Sequence, residues 1–308
     1  MSDALLVLKE QIEPRWRAAN GEARRLFHGR GHCFPGWEHL VVNWFPPYLQ
    51  VATFREEQLP DDLVPWLTHL HEAIFDQPLA GLVWQQRKGR GTTSETLFGG
   101  VPEEHVVHEQ GLAYLVRPLE NQNVGLFMDM AHIRRWLAPQ IAGQRVLNLF
   151  AYTCAFSVSA IAHGAEMVVN NDMSRNALSW GERNHDLNDL DLRRARMVPH
   201  NLFKSWWKLK QFGPYDTLII DPPTNQRGSF VAEKSYGQVL KRLPDLCASD
   251  ALVLACLNSP FLGEDFLHQQ MARWCPQARF VERLPAHPDF PEQFPDRGLK
   301  VLAFRYNR

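Results

Sequence analysis

The sequence predicts an α/β fold in which a small α+β domain precedes a doubly wound, mostly parallel sheet. From Arg145 onwards, apolar runs of strand length alternate with segments of helical periodicity, which is typical of a sheet with helices on both faces. The last two apolar runs have no helix between them, which predicts an antiparallel hairpin at the sheet edge. Between His39 and Glu120, strand-like runs surround a single helix. We therefore predict domains at 1–120 and 121–308.

Local patterns define the elements of the N-terminal domain. Pro46-Pro47 interrupts an apolar stretch, so two strands rather than one are expected there. Gln110-Gly111 lies between two apolar runs and predicts a hairpin turn. In chain order, the predicted elements are an amphipathic helix (1–16), two strands (39–54), a helix (59–75), a strand running into a loop (81–91) and a hairpin (105–119).

In the C-terminal domain, each predicted strand is a short apolar run, and the predicted helices lie between them. The predicted strands span 145–153, 166–174, 195–201, 215–221, 251–259, 278–285 and 299–306. The predicted helices span 156–164, 175–190, 204–210, 235–247 and 261–275.

Composition excludes several classes of protein. The chain has no apolar run of about 18 residues and no signal peptide pattern, so we expect neither a membrane span nor secretion. Its five cysteines are scattered without metal-ligand spacing, which indicates reduced thiols in the cytoplasm and no metal site. The net charge is −1, but basic residues cluster, either as solvated faces or as phosphate contacts. The clusters are Arg24, Arg25 and Arg30; Arg87, Lys88 and Arg90; Arg193, Arg194 and Arg196; and Lys204, Lys208 and Lys210.

The segment LIIDPPT is an apolar strand that stops at Asp221 and continues into two prolines. Proline fixes φ and cannot donate to a sheet ladder, so Pro222 and Pro223 form a stiff exit from the strand. Open α/β sheets bind their ligands at the carboxyl ends of strands. We therefore predict that Asp221 is a functional residue rather than only a cap of the next element.

The other strand ends indicate which ligand the sheet holds. A dinucleotide requires a glycine-rich loop after the first strand, and residues 150–156 contain no glycine. S-adenosylmethionine has no phosphate and needs partners for its amino acid, ribose and adenine groups. Asp172 ends the second strand, where it either binds ribose hydroxyls or caps the following helix. Asn201 follows the third strand and lies where adenine would bind, so we predict S-adenosylmethionine as the cofactor.

Four motifs carry a resemblance to a known family: NVGLFMDMAHIRRWL, NLFAYT, NDMSRNALSWGERNHDLND and IIDPPT. In this order they resemble the class I 23S ribosomal RNA large-subunit methyltransferases of bacteria. The guanine-N7 branch is the most similar, and the cytosine-C5 branch is related but less similar. The resemblance covers about 22–306 and implies a class I methyltransferase, Rossmann-like sheet. RLFHGRGHCFPGW and the hairpin around Gly111 are similar to the part of the family that helps to hold RNA.

The resemblance also implies roles for individual residues. The target base would be positioned by Asp221, Pro222, Pro223 and Thr224, and Asp221 would also lie beside the cofactor. The remaining cofactor-binding residues implied by the motifs are Phe127, Asp129, Asn148, Phe150, Tyr152, Thr153, Asp172, Met173, Asn201 and Leu202. Several positions depart from the family pattern. Ala131 and His132 stand where an arginine is usual, and NQRGSF after the DPPT motif is only partly like the family's basic, serine-rich run. Cys154 replaces a glycine and could crowd the cofactor carboxylate, and Asn201 replaces an aspartate.

The residue at one position in the strand around Cys256 indicates which branch of the family the chain resembles. Cytosine C5 becomes nucleophilic only after a thiolate adds to the ring, so that branch needs a cysteine. The corresponding position here is Asn258, whereas Cys256 points the same way along the strand and is expected to be a buried core residue. Asn258 therefore favours methylation at a nitrogen.

These observations predict a cytoplasmic enzyme that methylates a guanine nitrogen of RNA. The expected partner is 23S rRNA or a large-subunit assembly intermediate, and no membrane is expected. Two alternatives stay open from the sequence: a methyltransferase acting on a protein or small molecule, and a non-catalytic RNA-binding or assembly protein that keeps the fold. The sequence does not predict the oligomeric state.

Overall fold

A computed structural model describes residues 3–55, 58–88, 91–120, 123–223, 225–226 and 230–307. The chain forms two compact units. Unit 1 comprises Met1–Ala131 and His287–Gln293, and unit 2 comprises His132–Ala286 and Phe294–Arg308. The division into independent domains at 1–120 and 121–308 stays a prediction.

Unit 1 contains a five-stranded sheet in the order β1-β2-β3-β4-β5, and a separate hairpin formed by β6 and β7. Within the sheet, β3 and β4 are parallel and the other neighbours are antiparallel. The elements are α1 (Asp3–Arg17), β1 (Arg24–His28), β2 (Leu40–Phe45), β3 (Tyr48–Thr53), α2 (Leu63–Phe75), β4 (Gly81–Lys88), β5 (Gly91–Gly99), β6 (His105–Glu109) and β7 (Leu112–Val116).

Two strands of unit 1 were not predicted. β1 lies in a basic segment, and β5 replaces the loop that was expected after β4. β5 pairs with β4 from Gly81↔Gly99 to Lys88↔Gly91, although most of its residues are exposed. A polar edge strand has little hydrophobic pattern, so its pairing with β4 rather than its sequence signal defines it.

The core of unit 1 is built from α1 and the sheet. Leu8, Ile12 and Trp16 lie on one face of α1 and are fully buried, which matches their helical spacing. The distant segment 287–293 joins this unit through Asp289, whose side chain is only 3% exposed. Its carboxylate accepts hydrogen bonds from Arg15 at 3.1 Å and from Arg24 at 2.6 Å.

Unit 2 contains a seven-stranded sheet in the order β10-β9-β8-β11-β14-β16-β15. The first five strands in this order are parallel, and β16 is antiparallel to both β14 and β15. This confirms the doubly wound sheet with a C-terminal antiparallel hairpin. The seven strands are β8 (Arg145–Leu149), β9 (Met167–Asn171), β10 (Ala195–Val198), β11 (Tyr215–Ile220), β14 (Cys247–Asn258), β15 (Ala278–Leu284) and β16 (Leu299–Tyr306). The short strands β12 (Asn225–Gln226) and β13 (Phe230–Val231) form a separate antiparallel pair.

Helices cover the sheet of unit 2. They are α3 (Ala131–Leu137), α4 (Ala155–Ala162), α5 (Arg175–Asp186), α6 (Trp206–Phe212), α7 (Ala232–Leu240), α8 (Leu243–Leu246) and α9 (Glu264–Trp274). The predicted helix at 235–247 is divided into α7 and α8, with Pro244 near the start of α8. Alternate residues of the central strands and the apolar faces of α6 to α9 form one large buried cluster. Among the helices that the structure describes, none has the length and apolarity to cross a membrane.

Candidate active site

Three strand ends meet where the order of the sheet reverses. β8 lies between β9 and β11, and the last residues of the three strands, Leu149, Asn171 and Ile220, are level with one another. The chain continues from β8 to β9 on one side and from β11 to β14 on the other, which opens the crevice in which such sheets bind ligands. The residues that follow the three strands are Phe150, Asp172 and Asp221, so the structure brings these three predicted site positions together.

The loop after β8 has an unusual backbone. Phe150, Tyr152 and Cys154 have φ values of 61°, 47° and 62°, in the left-handed region that glycine normally supplies. Each such residue costs about 1–2 kcal/mol, so surrounding contacts must hold the loop in place. Ala151 N–H donates to Asn171 O at 3.0 Å, and Cys154 N–H donates to Ala151 O at 2.8 Å. The loop therefore adopts three left-handed residues without a glycine.

Asp172 fixes the loop to the end of β9. One carboxylate oxygen accepts the Tyr152 N–H at 3.0 Å, and the other accepts the Ser174 N–H at 2.8 Å. The helix α5 is capped instead by Ser174, whose Oγ accepts the Ala177 N–H at 3.1 Å. A carboxylate offers about four acceptor positions, so Asp172 retains acceptor capacity after these two bonds. This favours the ribose-binding role over the helix-capping alternative.

The predicted adenine partners lie beyond Asp172. The side chain of Met173 is 45% exposed and offers an apolar surface next to the carboxylate. Asn201 begins a short 3-10 turn, and its Oδ1 accepts the Phe203 N–H at 2.9 Å. Leu202 is buried in the core, so its backbone rather than its side chain would face a ligand.

Cys154 does not crowd the crevice, contrary to the expectation from the sequence. Its side chain is fully buried with Ala151 and Leu178, and Met197 lies against them. The thiol lies directly beneath α5 at Gly181, where an added Cβ would come within 2.5 Å of the Cys154 Sγ. Burial, and then the nearby Asp172 and Glu182 carboxylates, raise the pKa of the thiol well above its ordinary value.

A buried chain of polar side chains supports the loop from below. Asn148 Nδ2 donates to Asn170 Oδ1, Asn170 Nδ2 donates to Ser157 Oγ, and Ser157 contacts His185 Nε2, each at 2.9 Å. His185 Nδ1 is 2.7 Å from Gly181 O, which can only accept. The proton is therefore assigned to Nδ1, and Nε2 accepts from Ser157. Asn148, a predicted cofactor residue, thus lies inside this network at 2% exposure, and its contact with cofactor stays a prediction.

His185 should make the stability of unit 2 depend on pH. Burial lowers its pKa below the ordinary value of 6.5, so below about pH 6.5 the unfolded chain binds a proton that the folded chain does not. The free energy of unfolding is then complete above that pH and declines as the pH falls. We expect denaturant titrations at pH 7.5, 6.5 and 5.5 to show a shallower decline for His185→Gln, by at most about 1.4 kcal/mol per pH unit.

Ser157→Ala is the matched control for this prediction. It keeps the buried imidazole but removes its hydroxyl partner, so it should lower stability at every pH by about 1 kcal/mol while retaining the wild-type decline. His28 and His71 also have pKa values lowered chiefly by burial, so a residual decline is expected in both variants. An identical decline in wild type and His185→Gln would contradict the assignment.

Asp221 lies at the exit of β11, where Pro222 is buried and Pro223 is exposed. Behind it, the hydroxyl of the fully buried Tyr236 donates to Cys256 O at 3.0 Å. Burial, followed by Cys256 and Asp221, raises the pKa of Tyr236 well above its ordinary value. Tyr236 is therefore a neutral wall of the site. Thr224, the fourth residue predicted to position the base, lies outside the described residues.

The two positions of β14 that could hold a nucleophile, 256 and 258, differ in burial. Cys256 is fully buried, as expected for a core cysteine, whereas Asn258 is exposed at the strand end. Phe261 in the following loop is 89% exposed, and the sequence patterns did not single it out. A lone aromatic residue between a strand and a helix carries no periodic signal, so only its exposure identifies it as a candidate base contact.

The remaining predicted cofactor residues differ in burial and in the unit to which they belong. Thr153 is buried in the loop, and its backbone carbonyl accepts from Asn184 Nδ2 at 2.9 Å. Phe127 and Asp129 belong to unit 1, where Asp129 lies in a 3-10 turn and Phe127 is 42% exposed. Their cofactor contacts stay predictions.

Two arginine clusters of the sequence converge in unit 1. The guanidinium carbons of Arg30 and Arg87 lie 4.2 and 5.0 Å from the centre of the Phe54 ring. Burial and then Arg30 lower the pKa of Arg87 to about 10, and burial is the largest cause that lowers the pKa of Arg25 to about 9. Lys88 and Arg90 of the same sequence cluster have side chains outside the described set. This concentration of positive charge suits an anionic ligand.

Solved structures show the same fold. SMU.776, which was crystallised in complex with SAH, has a TM-score of 0.82 at 20% identity, over 99% of this chain and 82% of that chain. A SAM-dependent methyltransferase from Agrobacterium tumefaciens has a TM-score of 0.69 at 19% identity, over 94% of this chain and 91% of that chain. At these identities the likeness concerns the fold alone.

Curated relatives include several ribosomal RNA large subunit methyltransferases. Methyltransferase I of Aeromonas hydrophila is 37% identical over 204 residues, which are 65% of this chain and 51% of the relative. Methyltransferase K of Neisseria meningitidis serogroup B is 29% identical over 278 residues, 84% of this chain and 76% of the relative. Methyltransferase K/L of a Psychrobacter species is 33% identical over 156 residues, which are only 19% of that relative. The chain thus spans only part of several longer relatives.

The family description agrees with the site. Residues 24–305 match the family of S-adenosylmethionine-dependent methyltransferases, which confirms the cofactor and the family that the motifs indicated. The match includes the loop after β8, Asp172 and the Asp221-Pro222-Pro223 exit. With the reversal of the sheet at those strand ends, it establishes that this chain belongs to the S-adenosylmethionine-dependent methyltransferase family.

Proposed function

We propose that the chain transfers a methyl group from S-adenosylmethionine to N7 of a guanine in 23S ribosomal RNA. The observation that carries the proposal is the junction of the ends of β8, β9 and β11, which brings Asp221 beside the cofactor loop and Asp172. The class of substrate comes from the relatives, which are ribosomal RNA large subunit methyltransferases.

The residues present fit the cofactor. Asp172 is held by two backbone N–H groups and keeps acceptor capacity for ribose hydroxyls, and the loop after β8 leaves the crevice clear because Cys154 is turned into the core. Asn201 offers an amide group at the adenine end. When bound, S-adenosylmethionine supplies an electrophilic methyl group on a sulfonium sulfur.

Asp221 would hold the target base rather than exchange a proton with it. Its carboxylate and the backbone carbonyls of the stiff exit are acceptors, and the N1–H and N2–H groups of an extruded guanine are matching donors. The lone pair of N7 then forms the new bond to the methyl carbon, and the electrons of the broken carbon–sulfur bond remain on sulfur. N7 carries no proton, so no general base is needed, and the negative charge of Asp221 stabilises the positive charge gained by the base. Catalysis in this scheme comes from positioning.

The surroundings of Cys256 favour a nitrogen target over cytosine C5. Attack on a cytosine ring requires an accessible thiolate, and Cys256 is fully buried in the centre of unit 2. The residue at the exposed end of β14 is Asn258, which cannot form a covalent adduct of this kind. A base nitrogen attacks through its own lone pair, so its methylation needs no covalent adduct with the protein.

The arginine pair around Phe54 supports a nucleic acid as the substrate, because its charge suits phosphate groups. We expect Arg30→Ala to weaken binding to an unmodified 23S rRNA transcript. The slope of log Kd against log salt should decrease by about 0.7–0.9, the contribution of one phosphate contact. Fluorescence anisotropy over a range of salt concentrations measures this slope.

Arg17→Ala provides the control, since Arg17 is an exposed arginine already paired with Glu13 at 2.8 Å within α1. That variant should retain the wild-type salt slope. A slope for Arg30→Ala equal to that of wild type would remove this cluster from the RNA-binding surface.

The decisive experiment is transfer of labelled methyl to unmodified transcripts of 23S and 16S rRNA, followed by mass spectrometry of nuclease digests. N7-methylguanosine in the 23S transcript or in large-subunit assembly intermediates would support the proposal. Methylcytosine would instead favour the activity of the cytosine-C5 branch. Label only in protein or in small molecules would favour a different methyltransferase, and failure to bind S-adenosylmethionine by calorimetry would favour a non-catalytic protein.

A further inference from the structure

A second surface of unit 2 combines aromatic and basic side chains. A groove of about 400 Å³ lies along α6 and α8, and Lys204, Trp206, Trp207, Lys210, Arg242 and Asp245 line it. None of these residues belongs to the cofactor site described above. The groove begins at the 3-10 turn Leu202–Lys204, which follows Asn201 at the carboxyl edge of the sheet.

The two tryptophans of the groove differ in burial. Trp206 is half-buried against the core, where its ring lies 6.1 Å from Phe203 at an interplanar angle of 74°. Trp207 is 62% exposed, so most of its indole lies in water. Trp206 is therefore fixed as part of the groove wall, and Trp207 presents a broad apolar plane to a ligand.

The charges of the groove are predominantly positive. Lys204, Lys210 and Arg242 face a single carboxylate, Asp245, which is 3.2 Å from Lys210 and 3.7 Å from Arg242. Asp245 thus orients two of the cations but cannot neutralise all three. The guanidinium of Arg242 also lies 5.9 Å from the centre of the Trp206 ring, which places it along the wall of the groove.

The groove adjoins the cofactor loop through a row of aromatic rings. Phe203 stacks on Phe230 at 6.5 Å and 20°, and Phe230 contacts Phe150 of the loop at 5.1 Å. The groove and the candidate active site therefore share a wall of aromatic side chains that passes through the buried Phe230. An open groove with an exposed ring suits an extended chain better than an enclosed small molecule.

We propose that this groove binds a single-stranded segment of the RNA substrate, with one base stacked on Trp207 and phosphates at Lys204, Lys210 and Arg242. An aromatic plane flanked by cations is the arrangement that binds single-stranded nucleic acid with little sequence preference. The class of ligand rests on the proposed function, whereas the location rests on the residues of the groove.

The test measures binding of a fluorescent, unstructured oligouridylate to the full chain by anisotropy. Trp207→Ala should raise Kd about tenfold, because one stacked base is lost, and Trp207→Phe should recover most of the affinity. Lys204→Glu should also weaken binding, whereas Lys234→Glu, an exposed lysine on α7 outside the groove, should not. Calorimetry with S-adenosylmethionine should give the wild-type affinity for all four variants.

Methyl transfer to the 23S transcript, measured on the same preparations, separates this proposal from the proposed function. If transfer occurs but Trp207→Ala and Lys204→Glu bind the oligonucleotide like wild type, the groove proposal fails and the function stands. If transfer fails while both variants lose affinity, the function fails and the groove remains an RNA site. Absence of oligonucleotide binding by wild type overturns the groove proposal.

Discussion

Replacing Asp221 with alanine is expected to reduce kcat/KM for methyl transfer by about 100- to 1,000-fold, with little change in the affinity for S-adenosylmethionine. The reason is geometric. In the proposed function, Asp221 at the rigid exit of β11 would supply the acceptors that hold the base, whereas Asp172, which follows β9 on the other side of β8, would hold the cofactor. Loss of one preorganised polar contact, or displacement of the base by about 1 Å, is sufficient for a loss of this size. Single-turnover transfer and calorimetry measure the two quantities separately.

The control for Asp221→Ala is Asp250→Asn, which removes the exposed carboxylate near the start of β14. Asp250 has a φ of 61°, a conformation that asparagine tolerates, so this variant should fold and react like wild type. Asp221→Asn should lose activity to the same factor at every pH between 6 and 9, since no proton leaves N7. A loss that disappears at high pH would instead assign Asp221 as a general base, and near-normal activity of Asp221→Ala would remove it from the site.

Much of unit 2 could be predicted from its sequence because its parallel strands are buried on both faces. Such strands are short apolar runs with polar residues at their ends, as in the segment from Leu218 to Asp221, and those ends are also the functional positions. For the same reason, the sequence located Asp172, Asn201 and Asp221 at strand ends. The edge strand β5 lacks this pattern, so the sequence predicted a loop in its place.

The contacts between distant residues could not be predicted in this way. Nothing near Cys154 indicates that Gly181, on a different helix, leaves room for its thiol. The same holds for His185, which joins Asn170 through Ser157 only after α4, α5 and β9 have assembled. Asp289 likewise belongs to unit 1, although the chain on both sides of the segment 287–293 belongs to unit 2. A single sequence contains both residues of such a pair, but nothing in it indicates that they are in contact.

The pair formed by Cys154 and Gly181 should show strong coupling in a double-mutant cycle. In Gly181→Ala, the new Cβ would lie 2.5 Å from the Cys154 Sγ and 2.8 Å from its Cβ, so the loop or α5 must move. Overpacking of this kind costs about 1–3 kcal/mol, which exceeds the gain of about 0.8–1 kcal/mol from replacing a glycine within a helix. We therefore expect a net loss of up to about 2 kcal/mol in the free energy of unfolding.

Cys154→Gly alone should be nearly neutral, because two effects oppose each other. It removes a fully buried side chain, yet it relieves a left-handed residue whose φ of 62° costs about 1 kcal/mol. Combined with Gly181→Ala, it should restore or exceed wild-type stability, since the methyl of the new alanine occupies the space left by the thiol. The coupling energy should then be at least about 1 kcal/mol, measured by denaturant titration.

The same cycle should be visible in cofactor affinity. Displacing Cys154 also displaces Tyr152 and Thr153 of the loop, so Gly181→Ala should weaken S-adenosylmethionine binding and the double variant should recover it. Gly237→Ala is the matched control: its Cβ would clash with Trp274 at 2.2 Å, on the opposite face of the sheet. Its cost should add to that of Cys154→Gly within about 0.5 kcal/mol. Additive effects for Cys154 and Gly181 as well would mean that the loop is held by its backbone hydrogen bonds, and that the cysteine is accommodated without help from α5.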